Sequence, residues 1–257
     1  MTLLHASPQS TLYMGDALST LRELPAQSID AVIADPPYSS GGTTTADRTS
    51  RKARDKYVSS SAAHTLADFE GDQRDQRSYT YWCTLWLTEA LRLTKPRGLC
   101  LVFTDWRQLP VTSDALQVAG WVWRGLVVWH KPGARPHKGR FANAAEYLVW
   151  GSKGHLGAQP EAPCLPGVYS IASPRGEERV HITQKPLLLL RQLIEITAPS
   201  ATVLDPFMGS GTTGVAAVLE GRRFIGIEKS EAIAESARNR ITEAEAIVAA
   251  RQGMTTT

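Results

Sequence analysis

The chain has 257 residues, 42% of them hydrophobic, with a formal net charge of +3, values that suit one soluble α/β domain over 1–257. That charge is too small by itself to imply a polyanionic partner, so its placement along the chain matters more. Cys83, Cys100 and Cys164 are odd in number and lack C-x-x-C spacing, which excludes a disulfide framework and a zinc site; no stretch reaches the roughly 18 apolar residues of a membrane span, and no basic-then-apolar leader opens the chain, so an unexported, cytoplasmic protein is expected.

Thr11 to Met14 predicts a short strand, Gly15-Asp16 a turn, and Ala17 to Leu24 a helix in which Leu18, Leu21 and Leu24 share a face. Residues 29–34, Ile-Asp-Ala-Val-Ile-Ala, form an almost wholly apolar run, as expected of a strand buried on both faces of a parallel sheet. It ends in Asp35-Pro36-Pro37-Tyr38. The two prolines fix φ and remove two backbone donors, leaving rigid carbonyl acceptors beside a carboxylate and an aromatic ring. Asp35 and the Pro36 carbonyl can each accept one N–H from an amino group, while Tyr38 can stack on the ring that bears it. A nucleobase fits that description; a Pro-Pro turn with a surface Asp is the plainer alternative. Asp16 stands at a similar strand end, where it is also a suitable turn cap.

Residues 39–78 are polar, with Arg48, Arg51, Lys52, Arg54 and Lys56 in the first half and Asp68, Glu70, Asp72 and Asp75 in the second. A loop of this length in a compact domain is functional or disordered, and a mobile, DNA-facing excursion is the expectation here, against a merely solvated loop. A helix over Tyr79 to Leu93, a strand over Leu99 to Phe103, a helix near 113–119 and a strand over Trp121 to Trp129 follow. The next segment has Lys131, Arg135, Lys138 and Arg140 in ten residues of Gly- and Pro-broken backbone, a pattern able to contact phosphates. Glu146 to Trp150 predicts a strand, and 151–180 reads as irregular.

His181-Ile182-Thr183-Gln184-Lys185-Pro186 leads into an apolar helix, Leu187 to Ile196, with proline at its start. Thr202 to Leu204 is then a buried strand, Asp205-Pro206-Phe207-Met208-Gly209-Ser210-Gly211-Thr212-Thr213-Gly214 a tight glycine turn, and 212–220 an alanine-rich helix. A further strand, Phe224 to Ile227, ends at Glu228. G-x-G-x-x-G also fits a dinucleotide site. Asp205-Pro206-Phe207 before the glycines, and an amino-group receptor elsewhere in the chain, weigh against that reading.

Together these motifs resemble the β group of exocyclic-amino DNA methyltransferases, in that group's order: D-P-P-Y at 35–38, a recognition region, a K-P segment at 185–186 and F-x-G-x-G at 207–211. The resemblance implies a Rossmann-like, circularly permuted, seven-stranded, mostly parallel sheet with one antiparallel strand and helices on both faces. It implies S-adenosylmethionine as cofactor, yielding S-adenosylhomocysteine, with no metal. Asp205, Pro206, Phe207, Gly209, Ser210, Gly211 and Thr212 would cradle that cofactor and Glu228 would hold its ribose. Asp16 would lie near the adenine, Thr183 and Lys185 near the methionine end, and Asp35 beside both cofactor and target. Asp35, Pro36, Pro37 and Tyr38 would form the catalytic motif. The partner would be double-stranded DNA, touched by Arg51, Lys52, Arg54, Lys131, Arg135, Lys138 and Arg140, with a short target-recognition region within about 132–180. Asp in the first motif position goes mostly with adenine N6, and Ser with cytosine N4. N4-cytosine transfer, a nicotinamide-dependent oxidoreductase and a non-catalytic DNA-binding module stand as alternatives; a homodimer and a separate restriction nuclease are arrangements compatible with the family.

Overall fold

The structure is a computed structural model that describes residues 1–37, 76–134, 138–157, 162–174 and 184–254. Tyr38, Arg51, Lys52, Arg54, Arg135 and Thr183, and the expected loop from 39 to 75, lie outside the described residues.

Among the described residues nine strands form one sheet: β1 (Thr2–Ala6), β2 (Ser10–Met14), β3 (Ile29–Ala34), β4 (Thr94–Thr104), β5 (Val122–His130), β6 (Ala145–Ser152), β7 (Val168–Ser170), β8 (Thr202–Asp205) and β9 (Arg223–Glu228). Their spatial order is β1-β2-β9-β8-β3-β4-β6-β5-β7. The seven strands from β2 to β5 in that order match the expected sheet, with β6 antiparallel to both its neighbours. The two extra strands lie at the edges. β1 pairs antiparallel with β2, and β7 adds three residues parallel to β5 inside the stretch expected to be irregular. Both are short, which weakens any alternation in sequence.

Among the described residues six helices cover the sheet: α1 (Ala17–Glu23), α2 (Gln76–Leu93), α3 (Leu109–Val118), α4 (Leu187–Ile194), α5 (Thr212–Leu219) and α6 (Glu231–Met254). Helix α2 takes in residues 76–78, assigned in sequence to the end of the long loop, and α6 was not expected at all. Side chains of the central strands divide by the period-two rule. Ile33, Leu101 and Phe103 join Leu190, Ala216 and Ile241 of α4, α5 and α6 on one face. Val32, Ala34, Cys100 and Val102 join Leu21, Trp86 and Leu116 of α1, α2 and α3 on the other. Double-sided burial explains why β3 and β8 read as continuous apolar runs.

β4 begins five residues earlier than the sequence suggests. Its pairing with β3 shifts between Ile29 and Ala31, and Arg97 adopts φ of +70°, a bulge that Lys95-Pro96-Arg97-Gly98 accommodates. At this amino-terminal end of the sheet Asp30 joins three strands. Its Oδ1 accepts from Lys95 Nζ at 2.8 Å and its Oδ2 from the Thr202 backbone N–H at 2.8 Å. The N-terminal hairpin is fastened to α6 in a similar way, since Glu245 accepts from Ser7 Oγ at 2.5 Å and Ser10 Oγ at 2.6 Å and lies 3.2 Å from His5 Nε2.

Candidate active site

β8 and β3 are adjacent at the point where strand order turns in opposite directions, and a ligand crevice forms at the carboxyl ends of strands at such a switch. Asp35 leaves β3 there and Asp205 ends β8. Next to them β9 ends at Glu228, paired with Met14 of β2, and the Gly15 N–H donates to the Glu228 carbonyl at 2.9 Å. Asp16 follows directly, exposed and capping α1 by accepting the Ser19 N–H at 3.0 Å. The capping role of Asp16 is thus seen directly, at the end of β2 beside Glu228.

The glycine turn is built to be tight and open on one side. Gly209 has φ of +51° and a side chain added there would meet only the Phe207 carbonyl oxygen, at 4.0 Å. The Gly209 N–H donates to Glu228 Oε2 at 3.1 Å and the Ser230 N–H to Glu228 Oε1 at 2.9 Å, which aims the carboxylate across the loop. Gly211, at φ of +80°, caps α5. Behind the loop, Arg240 of α6 donates to the Ser210 carbonyl, to Ser210 Oγ and to Thr212 Oγ1. Phe207 packs at 5.2 Å from both Trp82 and Trp86 of α2. Asp205 is buried and holds the turn by accepting the Phe207 N–H at 3.0 Å. Burial, with Asp35 and Glu228 adding repulsion, pushes its carboxyl up to about 7. Burial also raises Glu228, against the backbone N–H groups that lower it.

Asp35 is the centre of the charge pattern. Its Oδ2 accepts from Lys185 Nζ at 2.7 Å. Its Oδ1 is buried without a hydrogen-bond partner among the described residues, and a buried acceptor of this kind asks for a donor. Burial raises the Asp35 carboxyl while Lys185 opposes the rise. For Lys185, burial would lower the ammonium, but Asp35 and Glu146 outweigh it and hold it above the ordinary lysine range. Pro36 is buried and Pro37 half-buried. Lys185, expected at the methionine end of a cofactor, therefore sits on Asp35 itself. Glu146, read in sequence only as the start of a strand, lies 3.5 Å from the same ammonium. Lys131 pairs with Glu146 at 2.9 Å, whereas Lys138 and Arg140 are exposed.

The DNA methylase family matches residues 29–162 and 164–239, which covers both halves of this crevice. The chain belongs to the N6/N4 DNA methylase family. The type II methyltransferase M.HinfI of Haemophilus influenzae is 30% identical over 91% of this chain and 68% of its own length. Among solved structures, the M1.HpyAVI–SAM complex shares 25% identity and a TM-score of 0.65, over 90% of this chain and 98% of that one. The cytosine-N4-specific PvuII DNA methyltransferase shares the fold, with 20% identity and a TM-score of 0.67 over 93% and 92%. S-adenosylmethionine, expected from the family resemblance, agrees with the first of these two structures. A DNA methylase needs a cradle for that cofactor, and the open face at Gly209 and the Glu228 carboxylate suit it. No helix among the described residues is long and apolar enough to cross a membrane.

Proposed function

We propose that this N6/N4 DNA methylase transfers a methyl group from S-adenosylmethionine to the exocyclic N6 of adenine in double-stranded DNA. The observation that carries the reading is the buried Asp35 Oδ1, without a hydrogen-bond partner among the described residues, at the carboxyl end of β3 and followed by the Pro36 carbonyl. An exocyclic amine is a poor nucleophile because its lone pair is delocalised into the ring. Accepting its two N–H groups at Asp35 and Pro36 favours a pyramidal nitrogen whose lone pair points at the methyl carbon. The sulfonium of the bound cofactor supplies the methyl group and the leaving group.

Residues of this chain do the rest by positioning and charge. Lys185 opposes the burial-driven rise of the Asp35 carboxyl and so favours the carboxylate form that accepts rather than donates, and Phe207 with Trp82 and Trp86 gives the glycine turn an apolar backing. Tyr38 stacks on the target base, which must leave the duplex at a cost of a few kcal/mol. Exposed Lys138 and Arg140, together with Lys131, Arg135 and the loop cations Arg51, Lys52 and Arg54, offset that cost through phosphates. The preference for adenine rests on Asp as the first residue of the 35–38 motif. A separate restriction nuclease in a bacterial cytoplasm belongs to the same proposal, and the type II naming of M.HinfI of Haemophilus influenzae supports it.

The test is incubation of polymerase-amplified, unmethylated DNA with the protein and methyl-labelled S-adenosylmethionine, then digestion to nucleosides and mass spectrometry. N6-methyladenine supports the reading, and N4-methylcytosine replaces it by the cytosine alternative. Absence of label in DNA that the protein still binds would favour the non-catalytic binding module.

A further inference from the structure

Lys131, Glu146, Lys185 and Asp35 form an unbroken line of alternating charge. The contacts are 2.9 Å from Lys131 Nζ to Glu146 Oε1, 3.5 Å from Glu146 Oε2 to Lys185 Nζ, and 2.7 Å from Lys185 Nζ to Asp35 Oδ2. The topology explains how a strand with no motif reaches this place. β6 is antiparallel to β4, so its first residues, not its last, arrive at the carboxyl edge of the sheet, with Tyr147 opposite Thr104. Glu146 is paired with Trp129 of β5, and the hairpin is closed by the Lys131 N–H donating to the Ala144 carbonyl at 2.7 Å.

The line is sheltered as well as short. The Lys185 side chain is only 7% exposed and Glu146 17%. Apolar rings hold both ammonium groups, Lys185 lying 5.2 Å from the Phe103 ring centroid and Lys131 5.5 Å from that of Trp129. One buried ammonium thus serves two carboxylates, and what Glu146 takes of it Asp35 loses.

We propose that Glu146 is a positioning residue for methyl transfer: it shares the Lys185 ammonium with Asp35, and Lys131, by neutralising Glu146, sets the share that Asp35 receives. The proposal rests on Asp35 acting on the target amine. It also gives Lys131 a place in the machinery beyond phosphate contact. A phosphate that draws Lys131 away leaves Glu146 to pull Lys185 toward itself, which loosens the hold on Asp35 as DNA arrives.

The signs of two substitutions differ, and this makes the test decisive. In Glu146→Gln, Lys185 turns further toward Asp35 and the repulsion from Glu146 is gone, so the carboxylate persists to lower pH and the acid limb of the kcat profile moves down. In Lys131→Gln, Glu146 draws on Lys185 without restraint and the limb moves up. Asp35 also faces Asp205 on β8 and Tyr79 on α2, and Glu228 on β9 faces Asp205 in turn, but these groups are common to every variant. The profile is measured with saturating methyl-labelled S-adenosylmethionine and amplified, unmethylated DNA.

The expected displacements are about half a pH unit or more in opposite directions, with Lys131→Gln/Glu146→Gln between them. The fall in kcat is roughly tenfold, below the roughly 10²–10³-fold cost of removing a group that touches the reacting atoms, and KM for S-adenosylmethionine stays nearly constant. Glu146→Asp, which keeps the charge one methylene further back, provides a milder shift in the same direction as Glu146→Gln if the latter does not fold. Limbs that move together, or stay in place while activity falls, overturn the proposal. Full turnover in Asp35→Ala instead removes the assignment of Asp35 on which it rests.

Discussion

One methyl group added at Gly209 or at Gly211 separates cofactor binding from stability. Both residues have positive φ, +51° and +80°, so alanine at either is strained by about 1–2 kcal/mol. The surroundings differ. At Gly209 the new Cβ points into open space, while at Gly211 it would lie 3.0 Å from Ala237 Cβ, 3.1 Å from Ala237 Cα and 3.1 Å from Ile241 Cδ1, against the backbone of α6. Overpacking of this kind adds about 1–3 kcal/mol. For a chain of this size about 1 kcal/mol moves Tm by roughly 2–4 °C, so Gly209→Ala should lower Tm by roughly 2–8 °C and Gly211→Ala by roughly 4–20 °C. Calorimetric titration with S-adenosylmethionine should reverse the ranking per unit of destabilisation, with Gly209→Ala at least about tenfold weaker because its methyl group stands where the ligand would lie. Wild-type affinity in Gly209→Ala would mean that the open face is not the cofactor's. Equal Tm losses in the two variants would refute the packing argument.

Asp35→Ala should lower turnover by at least about 10²–10³-fold while cofactor affinity, measured by the same titration, stays near normal. Glu228→Ala removes the acceptor of the Gly209 and Ser230 N–H groups, and cofactor affinity should fall by roughly 1–3 kcal/mol. Asp205 titrates at about 7 in the fold against 3.8 for an ordinary aspartate. Its folded value is raised, so its contribution to stability is full below about 4 and is lost as pH rises through about 7; in Asp205→Asn, denaturant midpoints should vary less across that window than in the wild type. Replacing exposed Lys138 and Arg140 by Gln should flatten the log–log salt dependence of DNA binding by up to about 0.9 for each phosphate no longer neutralised, equally on cognate and unrelated duplexes. An unchanged slope would return these two residues to solvent.

The crevice was legible because its parts are local. Asp35, Phe207–Gly211 and Glu228 each follow a strand apolar on both faces, and the chemistry begins where the apolar run ends. The Lys185–Asp35 contact was not legible in this way: it joins residues 150 apart, and the motif placed Lys185 near the cofactor without naming its partner. Glu146 escaped notice for a geometric reason, since its position matters only once β6 is known to run backwards. Helix α6 packs through Ala234, Ala237, Ile241 and Ala244. Those positions have helical spacing, but alanine contrasts weakly with the polar residues between, and the periodicity is faint. Arg240, which braces the glycine turn from that helix, was hidden with it. Strand β1 is mostly exposed at the sheet edge, so no apolar face marks it.

Strand β3 has a carboxylate at each end, and the two have separate tasks. Asp30 stitches β3 to Lys95 and Thr202 at the amino-terminal edge, a strand's length below the Asp35 crevice. Heat tolerance and target chemistry can therefore change under different pressures. A lineage in a warm habitat can strengthen the lower stitch without disturbing turnover, and one acquiring a new target can alter the upper rim while the three central strands keep their register.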